Sequence, residues 1–180
     1  MAEEQKEKWT NYLAITTVLI AVCATLSTFK GGGYSNRSLM CQTKASDQWA
    51  FFQSKSVKGY IFEMQKSNLE LQREQVSKSN DSKFMIPKYE KKIMEYDKKI
   101  KQYEAEKKDI TKEANAFLSE MENCKKHASA FGVAVIFLQI SILLSSISAL
   151  TKRKYVWIVS LLVGVLGVFY FMNGFLLFLE

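Results

Sequence analysis

The sequence predicts an all-α membrane protein: three transmembrane helices, with a long antiparallel helical hairpin of coiled-coil type between the first and second. Three observations predict it. Three apolar blocks of 21 or more residues contain no Asp, Glu, Lys or Arg. A strongly polar segment, residues 30–127, separates the first block from the second. A seven-residue apolar repeat runs along the second half of that segment.

The near-zero mean hydropathy conceals this partition. Of the 25 Lys and Arg residues, 20 fall between Lys30 and Lys126, together with 14 of the 18 acids. A short tail, residues 1–8, leads into the first span, 9–29. The second span covers 128–150 and the third 155–179. A hydrocarbon layer of ~30 Å needs roughly 20 helical residues, so each block is long enough to cross it. Trp9, Tyr12, Tyr155 and Trp157 stand near block ends, where amphipathic rings favour the headgroup layer. Glu3, Glu4 and Glu7 offset Lys6 and Lys8, unlike the basic start of a cleaved signal peptide. Val22 before Cys23 is bulky for a lipoprotein cleavage site, so the first block reads as a retained helix.

In the segment 30–127 the first arm spans about 35–76, the tip about 77–86 and the second arm about 87–127. The tip centres on the turn-forming cluster Ser77 to Lys83, and Pro87 suits the first turn of the helix after it. On the second arm Ile93, Tyr96, Ile100, Tyr103, Ile110, Ala114, Phe117 and Met121 form a seam of alternating three- and four-residue steps, interrupted by Lys107. The register is expected to continue into the second span through Val135, Leu138, Ile142, Ser145 and Ala149. Around the seam, Glu95–Lys99, Asp97–Lys101, Glu104–Lys108 and Glu122–Lys126 place acid before base one helical turn apart. That interleaving reads as a solvated face and argues against nucleic-acid binding.

The first arm is less regular. Val57, Ile61, Met64, Asn68 and Leu71 form a stripe expected to face the second arm. Trp49, Phe51, Phe52, Tyr60 and Phe62 do not fit on one stripe and are the candidate oligomer interface, since a helix apolar on several faces is buried on several faces. Gly31, Gly32 and Gly33 suggest a hinge or helix break just after the first span.

No catalytic, cofactor-binding or metal-binding set emerges, and the chain is expected not to be an enzyme. His127, one helical turn from Cys124, lacks the further ligands a metal needs. Cys41 and Cys124 lie 41 and 42 residues from a tip at Ser82. A disulfide between them is open if the hairpin is extracytoplasmic, with two packed thiols as the plainer alternative. Gln139 is expected to bond to a neighbouring helix. Ser141, Ser145 and Ala149, and Thr17, Ala21 and Thr25, are small-residue rows suited to close packing in lipid. The connector Thr151 to Lys154 puts three cations in a short loop, which the positive-inside bias places in the cytoplasm. The N-terminus is then cytoplasmic and the hairpin extracytoplasmic.

The stretch Ala45 to Gly59, with its Asp47-Gln48-Trp49-Ala50 core, follows Asn11 to Ser35 in a layout that resembles an uncharacterised family of bacterial membrane proteins described as a domain of unknown function. Phe51 and Phe52 stand where that family often has tyrosines. The resemblance implies a multi-pass protein of the bacterial inner membrane and brings no activity with it. The expected partners are membrane lipid and either further copies of the chain or a larger membrane complex. The leading expectation is a scaffold or accessory subunit that self-associates through hairpin and spans, and the alternative is an oligomeric channel or conduit.

Overall fold

The structure, a computed structural model, describes residues 2–78 and 82–178, with side chains described for 9–78 and 84–178. Three helices account for almost all of it: α1 (Ala2–Ser77), α2 (Ser82–Thr151) and α3 (Lys154–Leu176). Each contains a stretch long and apolar enough to cross a membrane. The chain divides into two compact units, one built from residues up to Met40 and from Glu120 onward, the other from Cys41–Ser119.

Several boundaries differ from the sequence reading. Helix α1 runs through Gly31, Gly32 and Gly33 without a break, and none of them has a positive φ. Gly31 is a packing residue: a Cβ there would stand 3.0 Å from the Phe131 Cβ. Pro87 lies inside α2 and not in its first turn, removing one hydrogen bond near the helix end. The tip is shorter than residues 77–86, because helix resumes at Ser82; residues 79–81 lie outside the described residues. The third span ends at Leu176, before position 179. Leu177 adopts a left-handed conformation there, and its N–H donates to the Asn173 carbonyl at 2.8 Å.

In the first unit the core gathers Ile20 and Ala24 of α1 with Ala134 and Leu138 of α2, flanked by Val168, Tyr170 and Phe171 of α3. The buried face of α3 is made of small residues, Ser160, Gly164, Gly167 and Gly174. A Cβ at Gly167 would meet Leu138 at 2.8 Å, and one at Gly174 would meet Phe131 at 2.7 Å. Glycine is required because larger helical neighbours already fill that space. The α1 face is Leu13, Ile20, Ala24 and Ser27; the expected row containing Thr25 is one position off, and Thr25 is exposed. On α2, Ala134 and Ser148 are buried together with the expected Leu138, Ser141 and Ser145, while Ala149 is exposed. Two neighbours rather than one press on this part of α2, so its buried face is wider than a two-helix seam.

In the second unit α1 and α2 contact each other through Gln48 with Glu113, Lys55 with Glu106 and Lys66 with Asp97. Contacts climb α1 as they descend α2. Every position expected on the α2 seam is buried or half-buried, from Ile93 through Phe117. The face that α1 turns to it is not the expected stripe. It carries Cys41, Ala45, Gln48, Phe52, Lys55 and Gly59, and then Phe62, Lys66 and Leu69, in alternating steps of four and three. Val57, Ile61, Met64 and Leu71 are instead exposed on the other side of the helix.

Candidate functional site

Chemistry could lie in three places: the polar groups among the apolar stretches, the aromatics at the ends of those stretches in the first unit, and the charged faces of the second. Within their apolar stretches α2 bonds to α3 through serines and not through Gln139, which is exposed. Ser141 donates to the Ser160 carbonyl at 2.7 Å, and Ser160 donates to the Ser141 carbonyl at 2.8 Å. Ser145 joins through the Ser160 hydroxyl at 2.6 Å. These hydroxyls satisfy one another and tie α2 to α3. The network consists of serine hydroxyls and backbone carbonyls, bonding of the kind by which small polar residues join apolar helices.

At one end of these spans, Trp9 and Trp157 approach with ring centroids 6.3 Å apart, and the Trp157 indole N–H donates to Thr16 Oγ1 at 3.3 Å. At the other end His127 stacks on Tyr34 at 4.5 Å, and its Nδ1–H donates to the Gly174 carbonyl at 2.8 Å. One side chain on α2 thereby joins α1 and α3. Phe131, fully buried, continues the stack toward Phe171 and Phe175. Arg37 Nε donates to Glu120 at 2.9 Å and Ser38 Oγ to the Met121 carbonyl at 3.2 Å. Beside this end a cleft of about 620 Å³ is lined by Glu122, Lys125, Lys126 and Tyr170, with the buried Asn173 at its base.

In the second unit, aromatic rings and cations alternate. Phe62 packs between Tyr96 and Tyr103, with centroids at 5.5 and 5.8 Å, under the Lys99 ammonium. Lys55 lies over the rings of Phe51 and Tyr103 and pairs with Glu106 at 2.6 Å. Lys107, the polar interruption of the seam, is half-buried beside the Phe52 ring and paired with Glu104. Glu104 therefore turns to Lys107 and not to the expected Lys108, since the seam lysine is the one that loses water. The Glu95–Lys99 and Asp97–Lys101 pairs form as the spacing implies.

These contacts set the local electrostatics. Asp97 accepts from Lys101 and Lys66, which hold its pKa down to about 2. The hydrogen bond from Lys55, with that from Gln102, lowers Glu106. Lys66 is raised by its bond to Asp97, and Lys107 by its bond to Glu104. Each shift stabilises a charge already present near neutral pH, which is what a structural ion pair does. A proton-transfer residue needs its pKa moved toward the working pH.

The five candidate interface residues separate. Phe52 and Phe62 turn inward, and Trp49 is half-buried edge-on to Phe52 at 5.6 Å. Phe51 and Tyr60 remain exposed. Val57, Ile61, Met64 and Leu71 join them, residues whose period suggested the wrong partner. Cys41 and Cys124 are buried thiols that carry no disulfide. Among the described residues no group of three or more His, Cys, Asp and Glu side chains comes together to hold a metal ion.

A family model described as Domain of unknown function (DUF4337) matches residues 9–177. Neither a curated protein nor a solved structure matches the chain. The chain belongs to the DUF4337 family.

Proposed function

We propose that this DUF4337 chain is a non-enzymatic membrane scaffold or accessory subunit that assembles through its extramembrane helices. Its three apolar stretches insert in the bacterial inner membrane, and the segment between the first two folds into an antiparallel coiled-coil hairpin outside the bilayer. The N-terminus lies in the cytoplasm and the hairpin on the opposite side, as the three cations of Lys152, Arg153 and Lys154 favour.

One observation carries the reading. On the second unit, whose other outward positions are mostly polar or charged, Val57, Tyr60, Ile61, Met64 and Leu71 stand exposed along one side of α1. Soluble faces do not keep contiguous apolar side chains in water without a partner to cover them. The conduit alternative gains less support, because the buried serine hydroxyls are spent on backbone carbonyls and on one another. Native mass spectrometry after gentle detergent extraction tests the proposal. Assemblies of the chain with itself or a co-purifying subunit are expected, and a clean monomer with no partner overturns it.

A further inference from the structure

The outward stripe on α1 has a more specific meaning than an apolar surface. Val57, Ile61, Met64, Asn68 and Leu71 are separated by steps of four, three, four and three, and all five are exposed. Val57 is 57 %, Met64 62 % and Leu71 57 % accessible. The inward face of the same stretch, with Phe62 and Lys66, is already filled by α2. Helix α1 is thus two-faced here, with one heptad seam used inside the chain and a second left open.

We propose that this open seam pairs with the same seam of a second copy as a parallel two-stranded coiled coil; the proposal rests on the scaffold reading above and names its partner. In heptad terms Ile61 and Asn68 occupy a positions, and Val57, Met64 and Leu71 occupy d positions. A β-branched residue at a with leucine at d favours two parallel strands, and a lone asparagine at a fixes the register by bonding to its own mate. The narrow 3.5-residue period selects a helix as occupant, whereas a lipid surface takes a broader face rimmed by cations.

Charge points the same way. A two-fold contact sets a face against itself, so any net charge on its flanks would oppose itself. The positions that flank the seam from Ile61 to Leu71 are Tyr60, Gln65, Ser67 and Gln72, all uncharged, and Lys58 beside Val57 is the one charged flank of the stripe. Copies inserted with one topology also present α1 running in the same direction. The seam is short for a free coiled coil, and confinement in a membrane raises the effective concentration that makes it sufficient.

The test uses the full-length protein in native membranes. Asn68→Cys and Leu71→Cys under mild oxidation should give about tenfold more cross-linked dimer than Glu70→Cys, because a disulfide needs Cα atoms within ~7 Å. Wild-type protein serves as the blank for Cys23, Cys41 and Cys124. Met64→Glu should weaken association roughly thirtyfold or more, the effect of losing one central contact, with helical content unchanged because the side chain is exposed. Equal cross-linking from Glu70→Cys, or an assembly untouched by Met64→Glu, overturns this seam while leaving the scaffold reading standing. Wild-type protein that is monomeric in membranes and in mild detergent overturns the seam, and if it also carries no co-purifying subunit it overturns both.

Discussion

At the scale of single residues, side chains that look misplaced are consistently paired. Lys55, Lys66 and Lys107 lie on the faces where α1 and α2 meet, where a sequence reading expects apolar residues. The ammonium groups of Lys55, Lys66 and Lys107 meet Glu106, Asp97 and Glu104, and those of Lys55 and Lys107 also lie over aromatic rings. Asp97 has the most testable consequence. Its folded pKa of about 2 lies below the ordinary carboxylate value, so the charged form is favoured by folding. The stabilisation is therefore fully present above about pH 4 and is lost as pH falls toward about 2. Thermal unfolding followed by circular dichroism should show that acid step in the wild type and a flatter profile in Asp97→Asn. The same slope in both proteins would assign the acid loss to other carboxylates.

At the scale of the helices, the α2 seam was legible because its positions are nearly all Ile, Tyr, Phe, Met or Ala. The α1 face against it was hidden for a physical reason. Gln48, Lys55, Gly59 and Lys66 hold seam positions yet count as polar or breaking residues in any apolar pattern, because the pattern sees the head group and not the paired stem. Val57, Ile61, Met64 and Leu71 carry a clean heptad and yet stand exposed, because periodicity marks an apolar face without saying what, if anything, covers it. The triglycine misled for a related reason, since conformational freedom is only one use of glycine and close approach is another. Two of the three glycines pack against nothing: a Cβ at Gly32 or Gly33 meets no atom within 4 Å. Gly32→Ala and Gly33→Ala should each stabilise the protein by up to about 1 kcal/mol, measured by chaotrope unfolding in detergent. Gly167→Ala should do the reverse, by roughly 1–3 kcal/mol, because its methyl would press on Leu138. Ser160→Ala, which strips the hydroxyl shared by Ser141 and Ser145, is expected to cost about 1 kcal/mol in the same assay.

At the scale of the whole molecule, three apolar stretches and a polar middle were plain from composition alone, whereas the side of the membrane on which each lies is an electrostatic question. The link between α2 and α3 consists of Lys152 and Arg153, with Lys152 at φ 52 and the Arg153 carbonyl held by Ser148 Oγ at 3.0 Å. So tight a turn keeps the cations of Lys152, Arg153 and Lys154 together, and with the proposed insertion they stand in a short loop, where the positive-inside bias acts most strongly. The native thiols are poor reporters of that orientation, since Cys41 and Cys124 are buried. Ser46 is exposed on the segment between the first two spans, so Ser46→Cys supplies an accessible thiol. With the hairpin extracytoplasmic, an impermeant maleimide should label Ser46→Cys in intact cells above the wild-type blank. Replacing Lys152, Arg153 and Lys154 with Gln in that background should lower the labelled fraction, because the orienting charge is gone. Labelling that appears only after lysis would put the hairpin in the cytoplasm. The cations near its ends, Lys30, Arg37, Lys125 and Lys126, would then outweigh those of the short turn.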